Sequence, residues 1–327
     1  MRIGVVSDFH VMAAAEKGHV LESHKALGAG LPALQRKWRR GLYRMRRLLW
    51  NTHPELREIA FERALNLMET FKPDWVIANG DYGGDHSGMG VSDDATFESA
   101  AHVVGSIRRR FPENSRFVFG DHDIGKYSTE RREGGIRIAS LHRGEKQLGI
   151  PSFWHEIDED VHLIGVNSSL CTLDLFLPEA LVDEVPEWKR CRAEHIEHVS
   201  HAFDGLPAKA RVVLFCHDPS ALHALSQVPI VKRRMKQIEL TVIGHLHSPS
   251  LLKLAKLMPA SKGWRPKYPV ARIIAHGLEG VKSWHQFNPV VCPSTFGTGH
   301  HFRGGLLFIE KDKHGKLVAR RRRVSKK

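Results

Sequence analysis

The sequence predicts an α/β fold, and three observations carry that reading. Short β-branched runs alternate with helical stretches through most of the 327 residues, the pattern of a sheet whose faces are covered by helices. The runs are apolar enough to be buried strands. Aspartate and histidine gather directly after them, where α/β sheets present their ligand-binding residues.

Arg2–Ser7 (RIGVVS) reads as the first buried strand. Leu56, Ile59, Ala60, Ala64, Leu67 and Met68 recur with helical periodicity, which predicts a helix over Pro54–Phe71. Asp74–Ala78 is strand-like and stops at Asn79-Gly80-Asp81. A helix over Ser92–Phe111 opens on aspartates and closes on Arg108–Arg110, which complements the helix dipole. Phe117–Phe119 is a strand ending at Gly120. Further strands are expected at Val161–Val166, Arg211–Phe215, Leu240–Ile243 and Leu306–Ile309, with a helix over Pro186–Phe203 between the first two. Val11–His53 and Leu251–Phe287 break this rhythm and read as insertions, at about 11–53 and 251–287. One domain over residues 1–315 and a basic tail over 316–327 are the expected organisation.

Composition narrows the class. With 42% hydrophobic and 26% charged residues the chain can build a substantial core, which excludes a disordered or collagen-like polypeptide. No apolar run is long enough for a membrane span, and the opening residues carry no apolar stretch with a cleavage site, so a cytoplasmic location is expected. The four cysteines form no C-x-x-C pair and read as reduced thiols. The net charge of +13 is local. Arg36–Arg47 holds seven basic residues and no acid, and Lys311–Lys327 holds nine with one acid, so the remainder is close to neutral. Such patches fit an anionic partner, a lipid surface or a nucleic acid.

Asp8-Phe9-His10, Gly80-Asp81, Gly120-Asp121-His122-Asp123, His217 and Gly244-His245-Leu246-His247 each follow a predicted strand. Carboxylate and imidazole donors suit Zn²⁺, Mn²⁺ and Fe, and seven of them exceed what one ion with an open position can use. Two ions sharing a carboxylate fit better, the usual arrangement for attack on a phosphoryl centre. Taken singly, each motif has a bland alternative, a turn or a strand end; the ordered set does not.

That set (D-x-H, G-D, G-D-H-D, H, G-H-x-H) resembles the calcineurin-like metallophosphoesterase family, as does Asn288–Glu310. The resemblance covers residues 1–10 and 54–310. It implies a four-layer α/β/β/α sandwich of two mixed sheets, with the insertions forming a cap. It also implies that Asp8, His10 and His247 hold one metal and Asp121, His217 and His245 a second, with Asp81 bridging. His122 would protonate the leaving oxygen or stabilise the transition state, Asp123 would orient its ring, and a metal-bridging hydroxide would attack phosphorus. The metals implied are Mn²⁺, or mixed Fe and Zn. One position departs: Asp121 stands where the family usually has Asn, which predicts tighter or harder metal binding and weaker Lewis acidity.

Other histidines read differently. His195, His198 and His201 are expected on a solvated helix face and His300-His301 in an exposed turn. His86 lies in a loop expected to border the metals and is a candidate substrate contact. Leu34, Trp38, Leu42, Met45 and Leu49 form one apolar stripe among the arginines of the first insertion, the make-up of an interfacial membrane helix or of a cap packed on the domain. The second insertion has similar material, including Trp264 and Trp284. The function expected is hydrolysis of a phosphate ester or pyrophosphate, with a phosphorylated small molecule or lipid as substrate and peripheral attachment to an anionic membrane. A nuclease or nucleotide phosphodiesterase, and a binding module on a spent phosphoesterase, are the alternatives.

Overall fold

The computed structural model describes residues 1–19, 41, 54–127, 133–246, 283–296 and 304–324. Two five-stranded sheets organise them. The strands are β1 (Arg2–Val6), β2 (Trp75–Asn79), β3 (Ser115–Val118), β4 (Phe153–Asp158), β5 (Val161–Val166), β6 (Arg211–Phe215), β7 (Ile238–Ile243), β8 (Pro289–Val291), β9 (Gly305–Lys311) and β10 (Leu317–Arg323). The first sheet has the order β10-β9-β1-β2-β3 and the second β4-β5-β6-β7-β8. Within the first, β1, β2 and β3 run parallel while β9 and β10 are antiparallel. In the second, β5 to β8 run parallel and β4 is antiparallel. The helices are α1 (Pro54–Phe71), α2 (Asp94–Arg110), α3 (Ile138–Lys146), α4 (Val185–Asp204), α5 (Ser220–Gln227) and α6 (Pro229–Arg234), with several single turns between them.

The period of two along each strand divides the apolar residues among three cores. Ile3, Val5, Ile77 and Val118 of the first sheet meet Leu163, Val213, Phe215 and Val242 of the second between the sheets. The alternate residues Val6, Val76, Ala78 and Phe117 pack under Phe61, Leu65, Met68, Val103 and Ile107 of α1 and α2. Val212, Leu214 and Ile243 pack under Val199, Phe203, Leu222 and Leu225 of α4 and α5. Helices, sheet, sheet and helices make the four layers, and strands covered on both faces read as unbroken apolar runs. Asp93 caps α2, accepting from the Thr96 amide at 2.9 Å.

Two strands, β4 and β10, escaped the sequence reading, and the short β8 falls within Asn288–Glu310, the segment that resembles the family's closing strands. In β4 the apolar pattern is interrupted by His155, Glu156 and Asp158, because it is an edge strand with one wet side. β8 is three residues long. Leu317–Arg323, expected as part of a basic tail, is instead the edge strand β10, hydrogen-bonded to β9 along its length with Arg320–Arg323 exposed. Exposed arginines on an edge also block further strand pairing. On α1 the buried stripe runs through Phe61, Ala64, Leu65 and Met68, leaving Leu56 and Ile59 exposed.

Two expectations about side chains change. His195 is buried, 2% exposed, with its Nε2 3.5 Å from Cys171 Sγ, while His198 and His201 are exposed. Steps of three residues drift around the helix, so His195 falls on the stripe of Trp188, Val199 and Phe203. Trp284 and Phe287, at the end of the second expected insertion, belong to the core beneath α4 and α5. The Arg36–Arg47 stripe apart from Gly41, Trp264, His247 and His300-His301 lie outside the described residues. No helix among the described residues is long and apolar enough to cross a membrane.

Burial pushes the His195 imidazole down to about 3. An unfolded histidine titrates near 6.5, so below that pH the unfolded chain takes up a proton that the folded chain refuses. The stability contributed by neutral His195 is therefore complete above pH 6.5 and lost as pH falls toward 3. Urea unfolding at pH 7 and pH 5 should differ by about 2 kcal/mol from this group alone, and His195→Leu should remove that share of the difference.

Candidate metal centre

Five strands end at one place. Asp8 and His10 follow β1, Asp81 follows β2, Asp121 and His122 follow β3, His217 follows β6 and His245 follows β7. The first three strands belong to one sheet and the last two to the other, so the site straddles the line where the sheets pack. Parallel strands leave their carboxyl ends on the same edge, which is why successive loops converge there.

The backbone is strained where it delivers the candidate ligands. Of eight non-glycine residues with positive φ among the described residues, five are Asp8, His10, Asp81, Asp85 and His245, with φ between 45° and 60°. Left-handed backbone at a non-glycine residue has a cost that surrounding contacts must hold in place. Those contacts are present. The His10 and Phe9 amides both donate to Asp81 O, the Asp8 amide to Gly80 O, and the Arg57 guanidinium donates to His10 O at 2.8 Å. Gly120 permits the closest approach, since a Cβ there would lie 2.1 Å from Asp81 Oδ1.

Two triads result, Asp8–His10–Asp81 and Asp121–His217–His245, each offering ligand atoms within 4.8 Å of one another. Asp81 Oδ2 stands between them, 3.6 Å from His10 Nε2 and 3.1 Å from His217 Nε2. Asp121 Oδ1 lies 3.0 Å from His245 Nδ1 and 3.3 Å from His217 Nε2. Six of the seven ligands named from the sequence are thus together; the seventh, His247, lies outside the described residues.

His217 tests whether these groups fit cations. Its Nδ1 donates to Asn79 O at 2.7 Å, which fixes the tautomer and leaves a lone pair on Nε2. That Nε2 is fully buried, faces carboxylate oxygens and makes no hydrogen bond. A lone pair aimed at two carboxylates is repulsive unless a positive charge lies between them, and the donor set is the one that suits transition metals. The electrostatics agree. Burial resists charge on Asp81, yet His217 holds its carboxyl well below the usual range. Burial likewise resists charge on His217, and Asp81 and Asp121 overcome it and raise the imidazole. The field that draws a proton to His217 is the field that would draw a cation.

His122 is beside the triads, but its partner is not the one expected. Both Asp123 oxygens accept backbone amides, from Gly120 at 2.7 Å, Asp81 at 3.0 Å and Tyr82 at 3.0 Å. Asp123 therefore builds the loops that carry Asp81 and Asp121, and burial followed by the Asp81 charge pushes its carboxyl up to about 7. The carboxylate beside the His122 ring is instead the buried Asp85, its Oδ2 3.2 Å from His122 Nδ1. Burial opposes protonation of His122, and Asp81 and Asp85 raise it nonetheless. The sequence signal for Asp85 is its place in the loop after Asp81, next to His86. His86 faces the N-terminal segment instead: its Nε2 is 3.2 Å from His19 Nδ1, and its Nδ1 is 3.4 Å from Glu16 Oε1. Glu16, fully buried, accepts from the Gly84 and His86 amides and from Ser99 Oγ. The start of the first insertion is thereby fastened to the loop that carries Asp81 and Asp85.

No family model and no curated protein matches the chain. Among solved structures it is similar to Yfce, a phosphoesterase from E. coli, at 10% identity over 99% of this chain and 100% of that one, with a TM-score of 0.34. A dimetal phosphatase from Danio rerio matches at 10% identity over 99% of both chains, with a TM-score of 0.46. Phosphopantetheinyl hydrolase from Mycobacterium tuberculosis matches at 13% identity over 75% of this chain and 82% of its own, with a TM-score of 0.34.

Gly120→Ala should displace Asp81 and cost the site cation affinity while the helices stay folded. Far-ultraviolet circular dichroism should be unchanged, and metal analysis after reconstitution with Mn²⁺ should show roughly tenfold weaker retention, the size of effect expected when ligand orientation is disturbed.

Proposed function

We propose that the chain hydrolyses a phosphate ester or pyrophosphate bond with two cations held by Asp8, His10 and Asp81 on one side and Asp121, His217 and His245 on the other. The observation that carries this reading is the placement of Asp81 Oδ2 between the two triads, beside a buried His217 Nε2 that has no hydrogen-bond partner. Bound cations would supply Lewis acidity toward the phosphoryl oxygens and lower the pKa of water toward neutrality. The chain supplies the rest. Arg57 and the Asp81 carbonyl hold the His10 backbone in its strained turn. His122 donates its Nδ1 proton to Asp85 Oδ2, which leaves Nε2 to carry the proton for the leaving oxygen. Raised protonation of His122, caused by Asp81 and Asp85 against the effect of burial, suits an acid.

The substrate in this reading is a phosphorylated lipid at an anionic membrane surface. The seven basic residues of Arg36–Arg47 and the exposed arginines of β10 support it. Each such residue near an anionic leaflet contributes about 1 kcal/mol. Because β10 is part of a sheet, removing the C-terminal segment would damage the fold, and charge substitution is the better probe.

Three outcomes follow. Chelator-treated protein should be inert toward p-nitrophenyl phosphate and bis-p-nitrophenyl phosphate and recover with Mn²⁺; activity that survives chelation would contradict the reading. Asp85→Asn should lower kcat by about 10²-fold or more with metal content retained, in the range of a lost general acid. The protein should sediment with phosphatidylglycerol vesicles and not with phosphatidylcholine vesicles, and substituting Arg320, Arg322 and Arg323 together with Arg36–Arg47 by Gln should abolish this. Salt-sensitive binding of single-stranded DNA with diesterase activity, and no vesicle binding, would favour the nuclease instead.

A further inference from the structure

Lys126 enters the site from a loop that has little freedom. Its amide donates to Gly88 O at 3.0 Å, and the Gly135 amide donates to the same oxygen at 2.9 Å. Gly125, immediately before it, has φ of 104°, and a Cβ there would lie 2.4 Å from Gly135 O. The turn returns the side chain to the second triad, where the ammonium donates to Asp121 Oδ2. Asp121 Oδ1 meanwhile faces His245 and His217. Among the described residues, Asp121 is the ammonium's one hydrogen-bond partner, and the Asp81 and Asp218 carboxylates attract it as well.

We propose that Lys126 and Asp121 work as one charge-compensated ligand, in which Oδ1 serves the cation of the second triad and Lys126 cancels the carboxylate's charge through Oδ2. This rests on the two-cation reading above and changes a prediction made from sequence. Two divalent ions bring four positive charges against Asp8, Asp81 and Asp121, leaving one. Adding Lys126 leaves two, the balance of a site with a neutral donor at position 121. The extra carboxylate therefore does not tighten the site or blunt its Lewis acidity. By Coulomb's law an ammonium on one carboxylate oxygen repels a cation on the other, so Lys126 loosens the hold on that cation. It is a positioning residue that acts through Asp121.

A merely structural lysine would behave oppositely, since its loss would free Asp121 and weaken metal binding. The test is calorimetric titration of chelator-stripped full-length protein with Mn²⁺. Lys126→Met should bind the ion of the second triad at least about tenfold more tightly than the parent. Asp121→Asn alone, which leaves the ammonium without its counter-charge, should bind it at least about tenfold more weakly. The pair Asp121→Asn/Lys126→Met should return to within about threefold of the parent, a coupling that additive effects cannot produce. Lys126→Gln serves as the second variant if Lys126→Met does not fold. Unchanged or weaker affinity in the Lys126 variants, or a double variant no closer to the parent than Asp121→Asn, overturns the proposal while leaving the two-cation reading intact. A parent that takes up no Mn²⁺ overturns that reading, and this proposal with it.

Discussion

The structure depends on keeping three carboxylates together out of water. Asp8, Asp81 and Asp121 are each at most 2% exposed, and Asp81 and Asp121 both lie within 3.3 Å of the same imidazole nitrogen. Buried anions in such proximity are unfavourable unless positive charge offsets them. Lys126 provides part of that charge, and the unpaired His217 Nε2 marks where a cation would supply the remainder. The strained turns at Asp8, His10, Asp81 and His245 hold the arrangement against its own repulsion.

The sheets make that possible. Candidate ligands come from β1, β2 and β3 in one sheet and from β6 and β7 in the other, so the core between the sheets sets the spacing of the triads. Ile3, Val5 and Ile77 on one side and Val213, Phe215 and Val242 on the other are all fully buried, close-packed and resistant to shear. Cation binding would therefore couple to sheet packing: an ion that bound only the assembled site would also stabilise the pairing of the sheets.

Most of the framework was legible because it obeys simple periodicities. The strands that end at the site are buried on both faces, and their apolar runs stand out between polar strand ends. The six candidate ligands that the structure gathers follow the same rule. What escaped depends on contacts that no local pattern encodes. Asp85 reaches His122 across 37 residues, and Glu16 reaches the Gly84 amide across 68. Asp123 looked like the partner of its neighbour His122, but adjacent side chains on a helical turn diverge, and its oxygens were needed by three backbone amides. Lys126 was only five residues from Asp121, yet the glycine-rich turn that doubles it back is a tertiary feature. The arginines of β10 concealed a strand because edge position lets a strand be polar.

The most direct test of the account is anomalous diffraction from crystals of the full-length protein soaked in Mn²⁺. Two peaks are expected, one among Asp8, His10 and Asp81 and one among Asp121, His217 and His245, roughly 3.5–4 Å apart with Asp81 between them. A single peak, or none at these residues with Mn²⁺ in excess, would contradict it.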